Sequence, residues 1–142
     1  MLLLTRECDY GVRTIRALAD GEKKSVRDIC EMEQIPFQYA YKILKKLEHA
    51  GFLKSTRGRD GGYQLAKSPD TFTLLDIVVA IDDRVFINEC LDENKPCQRH
   101  TENSPCAVHL ELERIQALLV KELHSKTIHE VMRQEPTAPV SL

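Results

Sequence analysis

The sequence predicts a mostly helical protein with one small β-hairpin and a long helix near the C-terminus. Apolar residues recur at spacings of three and four residues along most of the chain, which indicates amphipathic helices. Two short extended runs flank a glycine-rich segment, which indicates a hairpin. The length of 142 residues, with 42% hydrophobic and 30% charged residues, suits one globular domain with an appendage. No apolar run approaches the length of a membrane span, so we expect no membrane partner.

Three helices are predicted in the first third of the chain. The first runs from about Thr5 to Ala19, before the stop signal Asp20-Gly21. The segment Ser25-Val-Arg-Asp28 is typical of a capping box and opens a short second helix. Pro36 is a good first residue for a third helix that ends near Gly51. The link between the second and third helices is only a few residues long, as in a helix-turn-helix.

The third helix has an apolar face and a polar face. The apolar face should lie on the core because its residues follow the i, i+3, i+4, i+7 pattern: Ala40, Ile43, Leu44 and Leu47. The opposite face carries Gln38, Tyr41, Lys42, Lys45 and His49. Taken alone, such a face is usually just solvated. The segment that follows favours a functional role instead.

A basic β-hairpin follows the third helix. Extended runs at about Leu53–Thr56 and Tyr63–Ala66 flank Arg57-Gly-Arg-Asp-Gly-Gly62, a flexible tip with three glycines and two arginines. A hairpin that only joined two strands would not need this cationic tip. A helix, a helix-turn-helix and a basic hairpin, in this order, predict a winged helix-turn-helix domain.

Charge is distributed unevenly along the chain, although the formal net charge is only −2. Residues 1–67 carry 13 Lys and Arg against 9 Asp and Glu, whereas residues 68–142 carry 7 against 13. Residues 42–67 alone hold seven basic residues against two acidic ones. Because local charge decides where a polyanion docks, these residues favour double-stranded DNA as a partner.

The second half of the chain predicts a fourth helix and then a long one. Thr73 and Asp76 form a capping box for the fourth helix. Ser104 and Pro105 precede a long helix that reaches about His124. Its apolar stripe consists of Val108, Leu112, Ile115, Leu119 and Leu123, widened by Leu118. A helix from a second subunit is a natural cover for this stripe, and the alternative is packing on its own domain.

These segments divide the chain into four parts. Residues 1–83 form a winged-helix domain, and residues 84–106 form a cysteine-containing loop. Residues 105–133 form the dimerisation helix and a terminal turn, for which Thr127-Ile-His-Glu130 supplies another capping box. Residues 134–142 have little to bury and should form a flexible tail.

Three cysteines, Cys90, Cys97 and Cys106, lie in a stretch whose only large aliphatic residue is Leu91. A stretch this polar cannot bury them in a core. The N-terminus lacks a signal-peptide pattern, so we expect a cytoplasmic protein, in which disulfides are disfavoured and metal or redox roles are favoured. Three thiolates plus one further ligand suit an iron–sulfur cluster or zinc. The alternative is a set of exposed thiols for disulfide switching.

The fourth ligand has several candidates. His109 lies three residues after Cys106, so both can point from one face of the long helix toward one centre. His100 and Glu89 lie in or beside the loop and are weaker candidates. The other two cysteines fall on apolar helix faces and should be core residues: Cys8 and Cys30.

Four segments carry a resemblance to one bacterial family. Asp9-Tyr-Gly-Val-Arg13 is similar to a first-helix signature, and Ile35-Pro-Phe-Gln-Tyr39 through Leu47 is similar to a recognition helix. Ser55-Thr-Arg-Gly-Arg-Asp-Gly-Gly-Tyr63 resembles an SxRGxxGGY wing, and the three-cysteine loop before the long helix is the fourth segment. Together these segments, which span nearly the whole chain, resemble the IscR/NsrR family of iron–sulfur winged-helix regulators.

The resemblance implies an iron–sulfur cluster, either 2Fe–2S or 4Fe–4S, on Cys90, Cys97 and Cys106. Cys106-Ala-Val-His109 matches the C-x-x-H of IscR-like members, which implies His109 as the fourth ligand. Asp9 matches a position that NsrR-like members use as a ligand from the other subunit. The expected DNA contacts combine the third helix with the wing: Gln38, Tyr39, Tyr41, Lys42, Lys45, Ser55, Arg57, Arg59, Gly61, Gly62 and Tyr63.

We therefore expect a homodimeric transcription regulator that binds a roughly palindromic DNA site and senses cluster status, nitric oxide or redox state. The dimer contacts should come from Val108, Leu112, Ile115 and Leu119. No nucleophile–base pair with a pocket is visible, so we do not expect an enzyme. The alternative is a cofactor-free winged-helix regulator controlled by a protein partner or by thiol oxidation.

Overall fold

The computed structural model describes residues 4–83 and 85–134, and it confirms the predicted class of helices with one two-stranded antiparallel hairpin. Single-turn 3-10 helices lie at Pro69–Thr71 and Glu89–Leu91. The regular elements are α1 (Arg6–Ala17), α2 (Val26–Glu33), α3 (Phe37–His49), β1 (Leu53–Thr56), β2 (Gly62–Leu65), α4 (Leu74–Ile81), α5 (Ala107–Leu123) and α6 (Ile128–Met132).

Local capping fixes where most of these helices begin. The three predicted capping boxes are confirmed, since the Ser25, Thr73 and Thr127 side chains each accept the backbone N–H three residues on. In each box the carboxylate at that third position accepts the N–H of the cap residue in return, which satisfies two donors that the helix leaves open. Pro36 is the N-cap of α3 rather than its first helical residue.

The core lies between α1, α2, α3 and α4. Its fully buried side chains include Ile15, Ile43 and Ile77, one from each of three helices. Burial of each such side chain contributes about 1.5–3 kcal/mol relative to exposure. Gly11 lets α1 approach α4 closely, because a Cβ at this position would lie 2.8 Å from Cγ1 of Ile81.

The hairpin β1–β2, with the tip at residues 57–61, is called the wing from here on. Its register pairs Leu53 with Leu65 and Thr56 with Gly62. The backbone of Tyr63 also exchanges two hydrogen bonds with that of Lys24, at 2.8 and 2.9 Å. The wing is therefore held at two places. The chain connects β1 to the end of α3, and the Tyr63 backbone is bonded to the segment that leads into α2.

The two C-terminal helices lie in very different environments. None of the 17 residues of α5 is buried, and its contacts include α4, the 3-10 turn Glu89–Leu91 and the loop residues Ile87 and His100. By contrast, Ile128 of α6 is fully buried, and its N–H donates to the Phe72 carbonyl at 2.9 Å. The terminal turn, which we grouped with the dimerisation helix, thus packs on the winged-helix core.

Two further sequence predictions concern the C-terminal tail and membrane spans. The predicted flexible tail lies outside the described residues, except for Gln134. In the ranges 4–83 and 85–134, the structure has no helix that is both long and apolar enough to span a membrane.

Candidate DNA-binding groove and cysteine loop

A groove of about 520 Å³ separates α3 from the wing. We call it the α3–wing groove. Its walls carry side chains from the exposed face of α3 and from the wing, together with the start of α2: Ser25, Val26, Arg27, Phe37, Tyr41, Lys45, Glu48, Ser55, Thr56, Arg57, Gly58, Gly61, Gly62 and Tyr63. The fold thus brings most of the predicted DNA contacts to one concave surface.

The predicted polar face of α3 is exposed, but its lysines are not equivalent. Lys42 donates to one carboxylate oxygen of Glu7 at 2.6 Å, and Lys46 donates to the other at 3.1 Å. These cations, led by the hydrogen bond from Lys42, hold the pKa of Glu7 below its ordinary value. Within the described part of the chain, Lys45 forms no ion pair, so its full charge is available to a ligand in the groove.

Tyr39 lies away from that face. It is half-buried, and its ring centroid is 5.5 Å from that of Tyr10 on α1. Because residues 39 and 41 are about 200° apart around a helix, Tyr39 cannot share the surface that Tyr41 presents. The structure therefore favours a core-support role for Tyr39 rather than the DNA contact that we expected from the resemblance.

The wing tip combines exposed cations with a tight backbone. Arg57 and Arg59 are exposed, and Gly58 has a φ of +110°, which side-chain-bearing residues rarely adopt. A Cβ at Gly61 would lie 2.3 Å from the Thr56 carbonyl oxygen, and one at Gly62 would lie 2.4 Å from the Lys24 carbonyl oxygen. The glycines are thus needed to close the tip and to join the wing to the domain.

Two further predicted contacts, Ser55 and Tyr63, are influenced by the Glu48 carboxylate. The Ser55 hydroxyl donates to the Glu48 carboxylate, which ties β1 to the end of α3. Tyr63 is half-buried at the groove, and desolvation by burial, followed by the charge of Glu48, raises the pKa of its phenol. The phenol therefore stays protonated and remains a hydrogen-bond donor at neutral pH.

A second cavity, of about 350 Å³, lies beside α5 and is lined by Cys90, Cys97, His100 and His109. We call it the cysteine cavity. The two imidazole rings stack with centroids 3.9 Å apart and an angle of 11° between their planes. Nδ1 of His109 is buried and has no hydrogen-bond partner among the described residues. Two of the three loop thiols and the favoured fourth ligand thus share one cavity.

The third thiol is next to this cavity but does not line it. Cys106 is the N-cap of α5, and its backbone is extended. Its N–H donates to Nδ1 of His100 at 3.1 Å. Among the residues that the structure describes, no three Cys, His, Asp or Glu side chains are arranged to hold a metal ion. The loop therefore supplies the expected donors without bringing all of them to one centre.

The other candidates lie elsewhere. Asp9 is an exposed residue of α1 that pairs with Arg13 at 2.9 Å and does not line the cysteine cavity. Cys8 is fully buried, which confirms it as a core residue. Cys30 is half-buried against the core, and burial raises the pKa of its thiol, so it stays protonated and is a poor metal ligand.

Several residues that line the α3–wing groove were not among the predicted DNA contacts, and Phe37 is the most exposed large apolar one. Phe37, the first residue of α3, is 55% exposed and lines the groove. Its position four residues before Tyr41 places the two rings on one helix face, which is a signal that the sequence already contained.

The similarity to known proteins extends over nearly the whole chain. A family model described as Rrf2, iron-dependent transcriptional regulator, matches residues 4–134. The Rrf2 protein of Nitratidesulfovibrio vulgaris is 28% identical over 139 residues, which cover 96% of this chain and 91% of that protein. The transcriptional regulator NsrR of Bacillus subtilis is 32% identical over 95 residues, or 65% of each chain.

The fold has a solved counterpart. The structure of CymR, the global cysteine regulator of Bacillus subtilis, aligns with a TM-score of 0.69 and 25% identity, over 92% of this chain and 96% of that one. The family match, the winged helix and the basic groove agree with one another. The chain belongs to the Rrf2 family of DNA-binding transcription regulators.

Proposed function

We propose that this protein is a homodimeric regulator that binds a roughly palindromic DNA site and whose binding is controlled by an iron–sulfur cluster. The observation that carries the proposal is the α3–wing groove, where Lys45 and Arg57 line a concave surface beside the exposed face of α3. A DNA-binding regulator of this kind acts in the cytoplasm, in contact with the chromosome. We expect no catalytic activity.

In the proposed complex, α3 enters the major groove and the wing reaches a neighbouring minor groove or the phosphates. A major groove is wide enough for an α-helix and presents a distinct pattern of donors and acceptors for each base pair. Gln38 and Tyr41 are exposed and carry hydrogen-bonding groups that suit base edges. Lys45, Arg57 and Arg59 supply positive charge for the phosphate backbone.

The cluster would be held by Cys90, Cys97 and Cys106, with His109 as the fourth ligand. Thiolates and imidazole are the donors that such clusters use, and two of these thiols share a cavity with a buried imidazole nitrogen that has no hydrogen-bond partner among the described residues. When bound, the cluster would supply a centre that reacts to redox state or nitric oxide. Cys106 must move toward the cavity to complete the set.

His109 is a better ligand than His100 because of its hydrogen bonding. Nδ1 of His100 accepts the Cys106 N–H, so the neutral ring carries its proton on Nε2 and has no free lone pair. His109 also lies on the same rigid helix that Cys106 caps, and a nearby ligand needs little chain entropy to position. Asp9 remains the alternative if the partner subunit brings it close.

We therefore predict that His109→Ala alters the absorption spectrum of the cluster, whereas Asp9→Ala leaves it unchanged. The measurement is visible absorbance and circular dichroism of each variant purified without oxygen. Asp9 is exposed and distant in sequence from the loop, so its substitution is a matched test of the alternative. If neither change moves the spectrum, both assignments are wrong, and His100 or Glu89 becomes the candidate.

The dimer would form through α5. Two residues of its stripe are exposed, Val108 at 67% and Leu119 at 38%, whereas Leu112 and Ile115 are half-buried. A 17-residue helix with no buried residue gains little from its own domain, so a second copy of the helix is the natural cover. A two-fold dimer then places its two winged-helix domains on half-sites that are about one helical turn of DNA, or a multiple of it, apart.

In the proposed mechanism, a change in the cysteine-containing loop alters the positions of the two winged-helix domains. Cys106 caps α5, and the 3-10 turn that contains Cys90 packs against α5. Cluster loss would release this loop and the start of α5, which would change the spacing of the two winged-helix domains in the dimer. A fixed spacing of half-sites makes DNA affinity sensitive to such a change.

Phosphate contacts and base contacts should differ in how strongly salt affects the loss of DNA affinity when each is removed. We predict that Lys45→Ala weakens binding to all sequences and lowers the slope of log affinity against log salt by about one unit, because one phosphate contact is lost. Gln38→Ala should instead cost about 1–3 kcal/mol on the preferred site and relax the preference at one base pair. The measurement is a titration of selected and scrambled duplexes at several salt concentrations. Equal effects of both variants on both duplexes would contradict this division.

A second candidate function is a cofactor-free regulator that responds through a protein partner or thiol oxidation. It is favoured by the separation of Cys106 from the other two loop thiols. A relative named for cysteine regulation also shares this fold. Iron, sulfide and zinc analysis of protein purified without oxygen separates the two candidates, since only the first requires bound iron.

A further inference from the structure

Two aromatic rings form an apolar patch at the entrance of the α3–wing groove. Phe37 and Tyr41 are 55% and 50% exposed, and their ring centroids lie 5.4 Å apart in an edge-to-face arrangement. An edge-to-face pair of this kind is favourable beyond the apolar area that it buries, so each ring restricts the other. The arrangement holds the Phe37 ring on the outer surface of α3 instead of folding it into the core.

The surroundings of this patch favour a polyanion over a protein. Lys45 and Arg57 line the same groove, and Gln38 continues the exposed face of α3. Phe37 is also the first residue of α3, and the N-terminal residues of a recognition helix are those that contact base edges. The occupant that fits both the charge and the position is the major groove of DNA.

A major groove offers one apolar group on its base edges, the C5-methyl of thymine. We propose that Phe37, held in place by Tyr41, reads thymine by contact with this methyl group. The inference rests on the proposed function, because it needs α3 to lie in the major groove. It adds a specificity-determining residue that makes no hydrogen bond and prefers A·T pairs at one position of each half-site.

The test uses deoxyuridine, which pairs like thymine but lacks the methyl group. Each thymine in one half-site of a duplex selected from a random pool is replaced in turn, and the full-length protein is titrated. At one position we expect affinity to fall about fourfold, the amount that burial of one methyl-sized group contributes. Phe37→Ala should lose a similar factor on thymine DNA and show no further loss on the uracil DNA.

Two control variants test whether the effect depends on the apolar side chain at position 37. Met32→Ala removes a side chain of similar exposure, 56%, from α2, and should keep both the affinity and the uracil sensitivity of the wild type. Phe37→Leu keeps an apolar side chain and should keep the sensitivity in part. Because Phe37 is exposed at the start of a helix, alanine there should leave the fold intact.

Three outcomes would overturn the inference. The first is a wild type that tolerates uracil at every position, and the second is a Phe37→Ala protein that stays sensitive. The third is loss of sensitivity in Tyr41→Ala alone, which would assign the methyl contact to Tyr41. In all three cases the salt-dependent loss caused by Lys45→Ala would persist. If the wild type selected no DNA sequence at all, the proposed function itself would fail.

Discussion

Cys97→Ala is expected to abolish the visible absorbance, iron and sulfide of protein purified without oxygen, whereas Cys30→Ala should leave all three unchanged. Cys97 lines the cysteine cavity together with Cys90, so its thiolate is one of the donors that the proposed cluster requires. Cys30 packs against the core, where burial raises the pKa of its thiol. Both variants remove a thiol, so the comparison separates the loss of a cluster ligand from the loss of a thiol as such.

This comparison needs a check on folding and has a clear contrary outcome. Far-ultraviolet circular dichroism should be the same for Cys97→Ala and the wild type, because Cys97 lies outside every helix and strand. A colourless wild type that contains stoichiometric zinc would contradict the iron–sulfur assignment. A wild type with no metal at all would favour the cofactor-free alternative.

The double substitution Val108→Glu with Leu119→Glu is expected to convert the protein to a monomer and to weaken binding to a duplex with two half-sites by about 10²–10⁴-fold. Both residues lie on the proposed dimer stripe and are exposed, at 67% and 38%. Two carboxylates in an apolar helix–helix contact would be desolvated without partners. Loss of the dimer removes the effective concentration that links the second half-site to the first.

A matched control places the same two charges on the other side of α5. Leu110→Glu with Ala117→Glu substitutes two exposed residues about 180–200° around the helix from Val108. This variant should remain a dimer and bind DNA as the wild type does. The measurements are sedimentation equilibrium and DNA titration. A dimeric stripe variant, or a control variant that dissociates to the same degree, would remove the stripe from the dimer contact.

The helices of this protein could be predicted from sequence because their ends are local. Ser25, Thr73 and Thr127 each lie three residues before a carboxylate, and each opens a helix in the structure. The wing could be predicted for the same reason, since its glycines and its two short extended runs are neighbours in the chain. Such features depend on a few adjacent residues, so tertiary contacts do not override them.

The remaining features depend on contacts between distant segments. Tyr39 packs on Tyr10, and the first residue of α6 donates a backbone hydrogen bond to Phe72. No local sequence pattern predicts either contact. The arrangement of the three loop thiols could not be predicted from sequence either, because it depends on how the irregular segment from Cys90 to Cys106 folds. A motif identified the donors, but it did not determine their distances.

The central claim is that the state of the cluster sets the affinity for DNA, and a paired titration tests it most directly. One oxygen-free preparation is divided, the cluster is removed from half of it, and both halves are titrated against the same selected duplex at fixed salt. Coupling between two sites of a protein commonly changes affinity about 5–150-fold, so we predict a difference of at least about fivefold between dimers that are otherwise alike. Superimposable titrations of a loaded and a cluster-free dimer would contradict the account.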